Sequence, residues 1–311
     1  MYIHIGLPKA ASTWLQDYVM GNADLGFCRP KIGSDLMKAF VYEHGFDFDA
    51  AAVRAMYDAH RDDQPNTVSW LSYERLAGIA ASGGYDTKEI ADRIAAVFPE
   101  AKVLIVIREQ KSIILSNYKQ SIKAGGVAPL AAYLNTPKPH VTRPMPRFSF
   151  KYFEYHRLIA YYQQLIGVDN VLVLPYEFLQ EDPRAFVTRI VTFADMPEPS
   201  DAVLDRIPFD TQPRSARGPI ETYLKRYISA FFAPRNDINP NALFPSEFLS
   251  KGLTFVVRSA ERYLVPSGIK HKLQDNLKSR VAQSVGDYYR ESNRKTQDLT
   301  GLDLSRYGYD L

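Results

Sequence analysis

Residues 3–16 read IHIGLPKAASTWLQ, and this stretch decides the fold. A short apolar run ends at Gly6, a turn containing Lys9 follows, and Ser12 opens an apolar pattern of helical spacing. The stretch therefore predicts a strand, a loop and the first turn of a helix. Unpaired N–H groups and the helix dipole at such a helix start favour a phosphate or sulfate. Lys9 adds a positive charge there, and Ser12 and Thr13 add hydroxyl donors.

Three more apolar runs rich in Val, Ile or Leu alternate with segments of helical periodicity. With the first run, the predicted strands are residues 2–6, 67–72, 102–107 and 170–175. The predicted helices are residues 12–20, 48–60, 86–98, 111–124, 150–166, 184–194, 219–231, 246–262 and 272–291. Apolar strands separated by helices indicate a parallel sheet covered on both faces. We expect a single α/β domain over residues 1–311, with a P-loop-like central parallel sheet of about five strands flanked by helices and a helical C-terminal portion.

The composition limits the class of protein without choosing a function. The chain of 311 residues is 46% hydrophobic and 23% charged, and its formal charge of +3 is too small to indicate nucleic acid. Cys28 is the only cysteine, which favours a reducing compartment. The first predicted strand leaves no room for a signal peptide, and no apolar run approaches the roughly 20 residues of a membrane span. We therefore expect a cytoplasmic protein without a transmembrane segment, of undetermined oligomeric state.

A second group of polar residues follows the predicted strand at 102–107. Arg108 stands at the end of that strand, where a parallel sheet binds its ligands, and Ser116 follows eight residues later. A nucleotide-hydrolysing P-loop protein would carry an aspartate here to hold magnesium, so an arginine favours anion binding without a metal. The motif Gly-x4-Gly-Lys-[Ser/Thr] is absent from the sequence, and no Cys/His cluster has the spacing of metal ligands. We predict no metal site.

Both groups resemble motifs of one enzyme family. The run GLPKAASTW at residues 6–14 resembles the 5′-phosphosulfate loop of sulfotransferases that use 3′-phosphoadenosine 5′-phosphosulfate (PAPS), commonly Gly-x-Pro-Lys-[Ser/Thr]-Gly-[Thr/Ser]-[Thr/Ser]. Ala10 and Ala11 depart from it, since they replace a hydroxyl residue and a glycine. Arg108 and Ser116 resemble the family's 3′-phosphate element, Arg-x7-Ser. The longer run Arg-x-Gln-x5-Ser-x-Tyr around them, which ends at Gly125-Gly126, looks most like bacterial members.

The resemblance implies PAPS as co-substrate and assigns a set of binding residues to it. Tyr176 lies in a segment similar to the family's later strand–helix element, where a tyrosine is commonly near the adenine; a core tyrosine is the alternative. Residues 214–218 fall where the family often has a basic loop over the 3′-phosphate, and a solvated loop is the alternative. The implied PAPS-binding residues are Pro8, Lys9, Ala10, Ala11, Ser12, Thr13, Trp14, Arg108, Ser116, Tyr176, Arg217 and Gly218.

Transfer of a sulfuryl group to a hydroxyl needs a group that accepts the hydroxyl proton. Glu74 follows the predicted strand at 67–72, and in the family this strand carries the base, a histidine or a glutamate. The order Tyr73-Glu74-Arg75 resembles the glutamate branch that acts on carbohydrate. We predict Glu74 as the base, with a Glu74–Arg75 surface pair as the alternative and His44, in a helical stretch, as the second candidate base. Lys9 would act in catalysis by neutralising the oxygen that bridges to the leaving phosphate.

The sequence thus predicts a PAPS-dependent sulfotransferase whose acceptor is a carbohydrate or glycoconjugate. Two other functions remain open. A small-molecule kinase of P-loop type would need ATP and a magnesium-binding carboxylate near the first loop. A catalytically silent nucleotide-binding protein on the same scaffold is the other alternative, and Ala10 and Ala11 motivate it.

Overall fold

The computed structural model describes residues 1–60, 67–135, 147–210, 218–236 and 238–311. The chain divides into two compact units. The first unit comprises Met1–Glu109, Phe150–Pro213 and Tyr289–Leu311, and the second comprises Gln110–Ser149 and Arg214–Tyr288. A single domain over residues 1–311 stays a prediction.

Five strands form one parallel sheet in the first unit, in the order β2-β3-β1-β4-β5. They are β1 (Tyr2–Ile5), β2 (Phe27–Cys28), β3 (Val68–Tyr73), β4 (Lys102–Ile107) and β5 (Val171–Pro175). Every residue of β1 is buried, as is β4 from Val103 onward. Strands covered on both faces need mostly apolar residues on both sides, which explains the runs rich in Val, Ile and Leu in the sequence.

Fourteen α-helices complete the described part of the chain. They are α1 (Ser12–Trp14), α2 (Gly33–Val41), α3 (Ala50–Ala59), α4 (Thr87–Val97), α5 (Gln110–Lys123), α6 (Leu130–Leu134), α7 (Tyr155–Ile166), α8 (Tyr176–Glu181), α9 (Pro183–Phe193), α10 (Asp201–Leu204), α11 (Pro219–Phe232), α12 (Glu247–Tyr263), α13 (Ser267–Val285) and α14 (Arg290–Thr300). A π-helical turn, Leu15–Val19, continues α1. The second unit contains α5, α6, α11, α12 and α13. The α/β fold with a five-stranded parallel sheet is confirmed.

Two sequence-based expectations about helices are wrong. The helix expected over residues 272–291 is two helices, because Gly286 at the end of α13 has φ +54°, a conformation that interrupts a right-handed helix. His44 lies in a turn beyond α2 and not in a helix.

The register of the sheet brings four strand ends to one edge. Ile5 of β1 lies opposite Tyr73 of β3 and Ile105 of β4, and Ile107 lies opposite Pro175 of β5. The residues that directly follow these strands are therefore neighbours at the carboxyl edge of the sheet, where ligands of open α/β folds bind. They are Gly6, Glu74, Arg108 and Tyr176.

Candidate active site

Gly6 lets the first loop pack directly on the backbone that carries Glu74. A Cβ atom at position 6 would lie 3.1 Å from the Glu74 Cα and 3.3 Å from the Glu74 nitrogen. The Gly6 nitrogen also donates a hydrogen bond to the Tyr73 carbonyl oxygen over 3.4 Å. A side chain at this position would therefore push the loop away from Glu74.

The loop contains two residues in the left-handed region of backbone space. Lys9 has φ +68° and Ala11 has φ +64°, and neither is a glycine. Such a conformation costs a residue with a side chain about 1–3 kcal/mol and persists where the surrounding structure enforces it. Turns of this kind present successive N–H groups in a concave arrangement that binds anions. The structure thus explains why the family motif has glycine where this chain has Ala11.

Glu74 is hydrogen-bonded to the first residue of α1. Ser12 Oγ donates to Glu74 Oε1 over 3.0 Å, Ser12 is buried and Glu74 is exposed. The neighbouring Arg75 forms its ion pair with Asp86 instead, with 2.9 Å between Nη2 and Oδ2. The alternative of a Glu74–Arg75 surface pair is therefore not the arrangement seen. The Glu74 carboxylate is tied to the loop.

His44, the second candidate base, lies on an exposed turn. Its Nδ1 is 3.9 Å from Asp47 Oδ2, and its ring lies beside that of Phe46 with 5.5 Å between centroids. These contacts stay within the turn after α2. Glu74, by contrast, is bonded to the loop that carries Lys9, which makes it the better supported base.

Arg108 contacts both the first loop and Tyr176. Arg108 Nη1 donates to the Lys9 carbonyl oxygen over 2.9 Å. The Arg108 guanidinium carbon also lies 4.8 Å from the centre of the buried Tyr176 ring, in cation–π geometry. Gln180 Nε2 donates to the Tyr176 hydroxyl over 3.3 Å. Three predicted site residues, from segments far apart in the sequence, are thus brought together.

A group of residues that the sequence did not predict holds Arg108 in place. Tyr155 donates its hydroxyl to the Arg108 carbonyl oxygen over 2.5 Å. The Glu109 nitrogen donates to Glu177 Oε1 over 3.0 Å, and the Tyr309 hydroxyl donates to Glu177 Oε2 over 3.2 Å. Burial raises the pKa of the Glu177 carboxyl and the pKa of the Tyr155 phenol. We name Tyr155, Glu177 and Tyr309 the brace.

The remaining residues of the first loop have ordinary environments. Pro8 is half-buried, Ala10 is buried and Thr13 is exposed. Trp14 stacks on Phe209 with 6.0 Å between ring centroids and an interplanar angle of 29°. The Trp14 ring therefore packs against the polypeptide, while Thr13 is exposed to solvent.

Ser116 and Gly218 belong to the second unit, so their expected place beside Arg108 stays a prediction. Ser116 lies within α5, and Gly218 precedes the first residue of α11. The Glu261 carboxylate accepts hydrogen bonds from the nitrogens of Ile220, over 3.1 Å, and Glu221, over 2.7 Å. The chain therefore places an anion of its own at the start of α11. Arg217 lies outside the described residues.

Within the described ranges, no group of three or more His, Cys, Asp or Glu side chains is arranged to hold a metal ion. Over the same residues, no helix has both the length and the apolar character that crossing a bilayer requires.

Comparisons with known proteins agree with this fold. A model described as the sulfotransferase family matches residues 3–200. A crystal structure of a sulfotransferase from Alicyclobacillus acidocaldarius is similar at a TM-score of 0.50 and 15% identity, covering 69% of this chain and 85% of that one. That likeness supports the fold alone. A search of curated protein sequences found no match. Since the family model spans more than half of the chain and includes Lys9, Glu74 and Arg108, the protein belongs to the sulfotransferase family.

Proposed function

We propose that this sulfotransferase takes its sulfuryl group from PAPS and transfers it to a hydroxyl of a carbohydrate or glycoconjugate. The observation that carries the proposal is that two side chains from separate strand ends, Glu74 and Arg108, are both hydrogen-bonded to the first loop. Ser12 bonds Glu74, and Arg108 bonds the backbone of Lys9. A candidate base, the Arg108 guanidinium and the loop that carries Lys9 thus lie together at the edge of the sheet where ligands of such folds bind.

The residues of the first unit fit a nucleotide that carries two separated anionic groups. The loop from Gly6 to Ser12 would hold the 5′-phosphosulfate through its N–H groups, and Lys9 would add its charge there. Arg108 would bind the 3′-phosphate through charge-assisted hydrogen bonds. The family resemblance implies the same role for Ser116, Arg217 and Gly218. Tyr176 would lie near the adenine. PAPS, when bound, supplies the sulfuryl group and leaves as the bisphosphate.

The chain itself supplies a proton acceptor and a positive charge. Glu74 accepts the proton of the acceptor hydroxyl, and the bond from Ser12 to its Oε1 sets the direction of the carboxylate. The exposure of Glu74 leaves it accessible to a large acceptor. Lys9 stabilises the negative charge that grows on the leaving phosphate. The order Tyr73-Glu74-Arg75, which resembles the carbohydrate-acting branch, supports a sugar as acceptor.

The proposal is tested by incubating the protein with sulfur-labelled PAPS and a panel of glycans. We expect label in one or more glycans, and no phosphate transfer when ATP replaces PAPS. Binding of the bisphosphate without transfer to any glycan would favour the silent binding protein. Binding and turnover of ATP would favour the kinase.

A pair of variants tests the base. Glu74→Gln keeps the shape of the side chain and an acceptor oxygen but accepts no proton, so turnover should fall by about 10²–10⁴, the usual contribution of a positioned base. Affinity for the bisphosphate should change by less than about twofold, since the loss concerns proton transfer and not nucleotide binding. Glu43→Gln, an exposed glutamate of the same unit, is the control and should keep full activity. Near-normal turnover of Glu74→Gln would show that Glu74 is not the base, and His44, the second candidate, would be substituted next.

A further inference from the structure

Helix α11 is amphipathic in the inverted sense, with polar residues inside and apolar residues outside. Three of its exposed aromatic residues, Tyr223, Tyr227 and Phe231, follow the i, i+4, i+8 spacing of one helix face. The buried polar residues are Glu221, Thr222, Lys225 and Ser229. The exposed apolar residues are Tyr223, Leu224, Tyr227 and Phe231.

Helix α12 repeats the inversion. Its buried residues are Ser250, Thr254 and Glu261, all of them polar. Its exposed apolar residues, mostly on the opposite face, are Phe248, Leu249, Leu253, Phe255, Val256 and Tyr263. A helix that only needed to cover a protein core would place these residues the other way round.

The polar sides of α11 and α12 are paired with each other. Arg258 forms two hydrogen bonds with the Glu221 carboxylate, at 3.1 and 2.9 Å, and Lys225 Nζ donates to Ser250 Oγ over 3.0 Å. Glu261 accepts from two backbone nitrogens at the start of α11. Because this buried polar face is so well paired, turning either helix around would break several charged contacts. The apolar faces point outward because the polar faces are held inside by these hydrogen bonds and this ion pair.

The exposed apolar area is as large as the largest apolar patch of a typical monomer. Phe244, Phe248 and Phe255 are exposed by 65%, 84% and 69%. At roughly 200 Å² per aromatic side chain, these three rings alone leave about 400 Å², which is the size of the largest patch on a typical monomer. The Phe244 nitrogen donates to the Phe231 carbonyl oxygen over 2.7 Å, so the segment before α12 runs alongside the end of α11.

The same unit is strongly basic. Its described residues include fourteen lysines and arginines against five acids, Glu221, Glu247, Glu261, Asp275 and Asp287, whereas the whole chain carries only +3. Helix α13, which packs on α11, contributes four of the cations. Among the residues that the structure describes, Lys270, Lys272 and Arg280 have no carboxylate within ion-pair distance. A unit that is basic and also exposes many apolar side chains matches the chemistry of an anionic lipid bilayer.

We propose that the second unit docks on the surface of an anionic lipid bilayer. The aromatic and aliphatic side chains of α11 and α12 enter the boundary between headgroups and acyl chains, and the cations of α13 bind the headgroups. A second copy of the chain is the less favourable occupant, because two copies would bring two units of the same positive sign together. This inference stands apart from sulfuryl transfer, since it uses none of the residues of the candidate active site.

The test is co-sedimentation of the full chain with vesicles of phosphatidylcholine alone or with a large share of phosphatidylglycerol. We expect at least tenfold stronger binding to the anionic vesicles at low salt, and its loss in about 1 M salt, where the Debye length is about 3 Å. The double variant Phe248→Gln/Val256→Gln should lower binding more than tenfold. Phe46→Gln is the matched control, since Phe46 is 95% exposed but belongs to the first unit.

A charge variant keeps the test decisive if the apolar variant fails to fold. Lys272→Glu/Arg280→Glu should also lower binding to anionic vesicles more than tenfold, while light scattering reports the mass of each protein in solution. Failure of the wild type to bind anionic vesicles at low salt would overturn the proposal. So would a dimer in solution that Phe248→Gln/Val256→Gln converts to monomer, because the apolar face would then be an interface between copies.

Discussion

Replacing Ala11 by glycine should stabilise the protein, although glycine normally destabilises. Ala11 has φ +64°, and for a residue with a Cβ atom this left-handed conformation costs about 1–2 kcal/mol. Glycine relieves that cost but adds about 0.5–1 kcal/mol of backbone entropy to the unfolded chain. The net expectation for Ala11→Gly is a gain of about 0.5–1 kcal/mol in the free energy of unfolding.

The neighbouring residue provides the opposite expectation. Ala10 is 1% exposed, and its φ is not positive. Ala10→Gly loses one buried methyl group, about 0.8 kcal/mol, as well as the entropy term, so it should destabilise by about 1.5 kcal/mol. The two variants carry the same chemical change one residue apart and should differ by about 2 kcal/mol.

Urea unfolding followed by tryptophan fluorescence measures this difference. The chain has two tryptophans, Trp14 and Trp70, and both lie in the first unit together with the loop. The slope m should be equal in the two variants, so that a shift of the midpoint reports stability alone. If Ala11→Gly instead lowers the free energy of unfolding by the entropy term of about 0.5–1 kcal/mol, Ala11 carries no strain, and the account of the glycine in the family motif is wrong.

Three further predictions concern the neighbourhood of the site. Arg108→Ala should weaken binding of 3′-phosphoadenosine 5′-phosphate more than tenfold, because a charge-assisted contact is worth about 1.5–3 kcal/mol. Calorimetry measures the affinity, and Arg157→Ala, which replaces an exposed arginine of the same unit, is the control and should bind like the wild type. Tyr155→Phe should cost about 1 kcal/mol of unfolding free energy and weaken the same ligand, since the Arg108 carbonyl loses its donor; unchanged urea midpoints would contradict the brace. Burial lowers the pKa of His4 from 6.5 to about 3. Between these two pH values His4 is protonated in the unfolded chain but not in the folded one, so the stability present above pH 6.5 is lost as the pH falls toward 3. Between pH 7 and pH 5 the wild type should lose about 2 kcal/mol more than His4→Gln, and equal losses would show that His4 does not titrate on unfolding.

The sheet could be predicted from the sequence because its strands are buried on both faces. Such strands are uninterrupted apolar runs, so residues 102–107 were identified to the residue and the others to within one. The edge strand β2 was not predicted, since Phe27–Cys28 is too short to show a period. The break at Gly286 was also missed, because a single glycine within a helical pattern does not reveal its sign of φ.

The candidate site could be predicted in part for the same reason. Lys9, Glu74, Arg108 and Tyr176 each follow or adjoin a predicted strand, and parallel strands deliver their ends to one edge. The brace could not be predicted, because it depends on tertiary packing between distant residues. Tyr155 lies 47 residues from Arg108, and Tyr309 lies 132 residues from Glu177. Neither the local spacing of residues nor their type predicts those hydrogen bonds.

The position of Tyr309 also sets the order in which the site is finished during protein synthesis. Ribosomes add about 5–20 residues per second, so roughly 15–60 s separate the synthesis of Lys9 from that of Tyr309. During that interval Glu177 lacks the hydroxyl that it accepts from, and Asn293 lacks the Asp310 carbonyl to which its Nδ2 donates over 2.8 Å. The residues of the anion-binding loop are therefore synthesised long before Tyr309, and the hydrogen bonds of the brace around Arg108 are complete only once Tyr309 has been added.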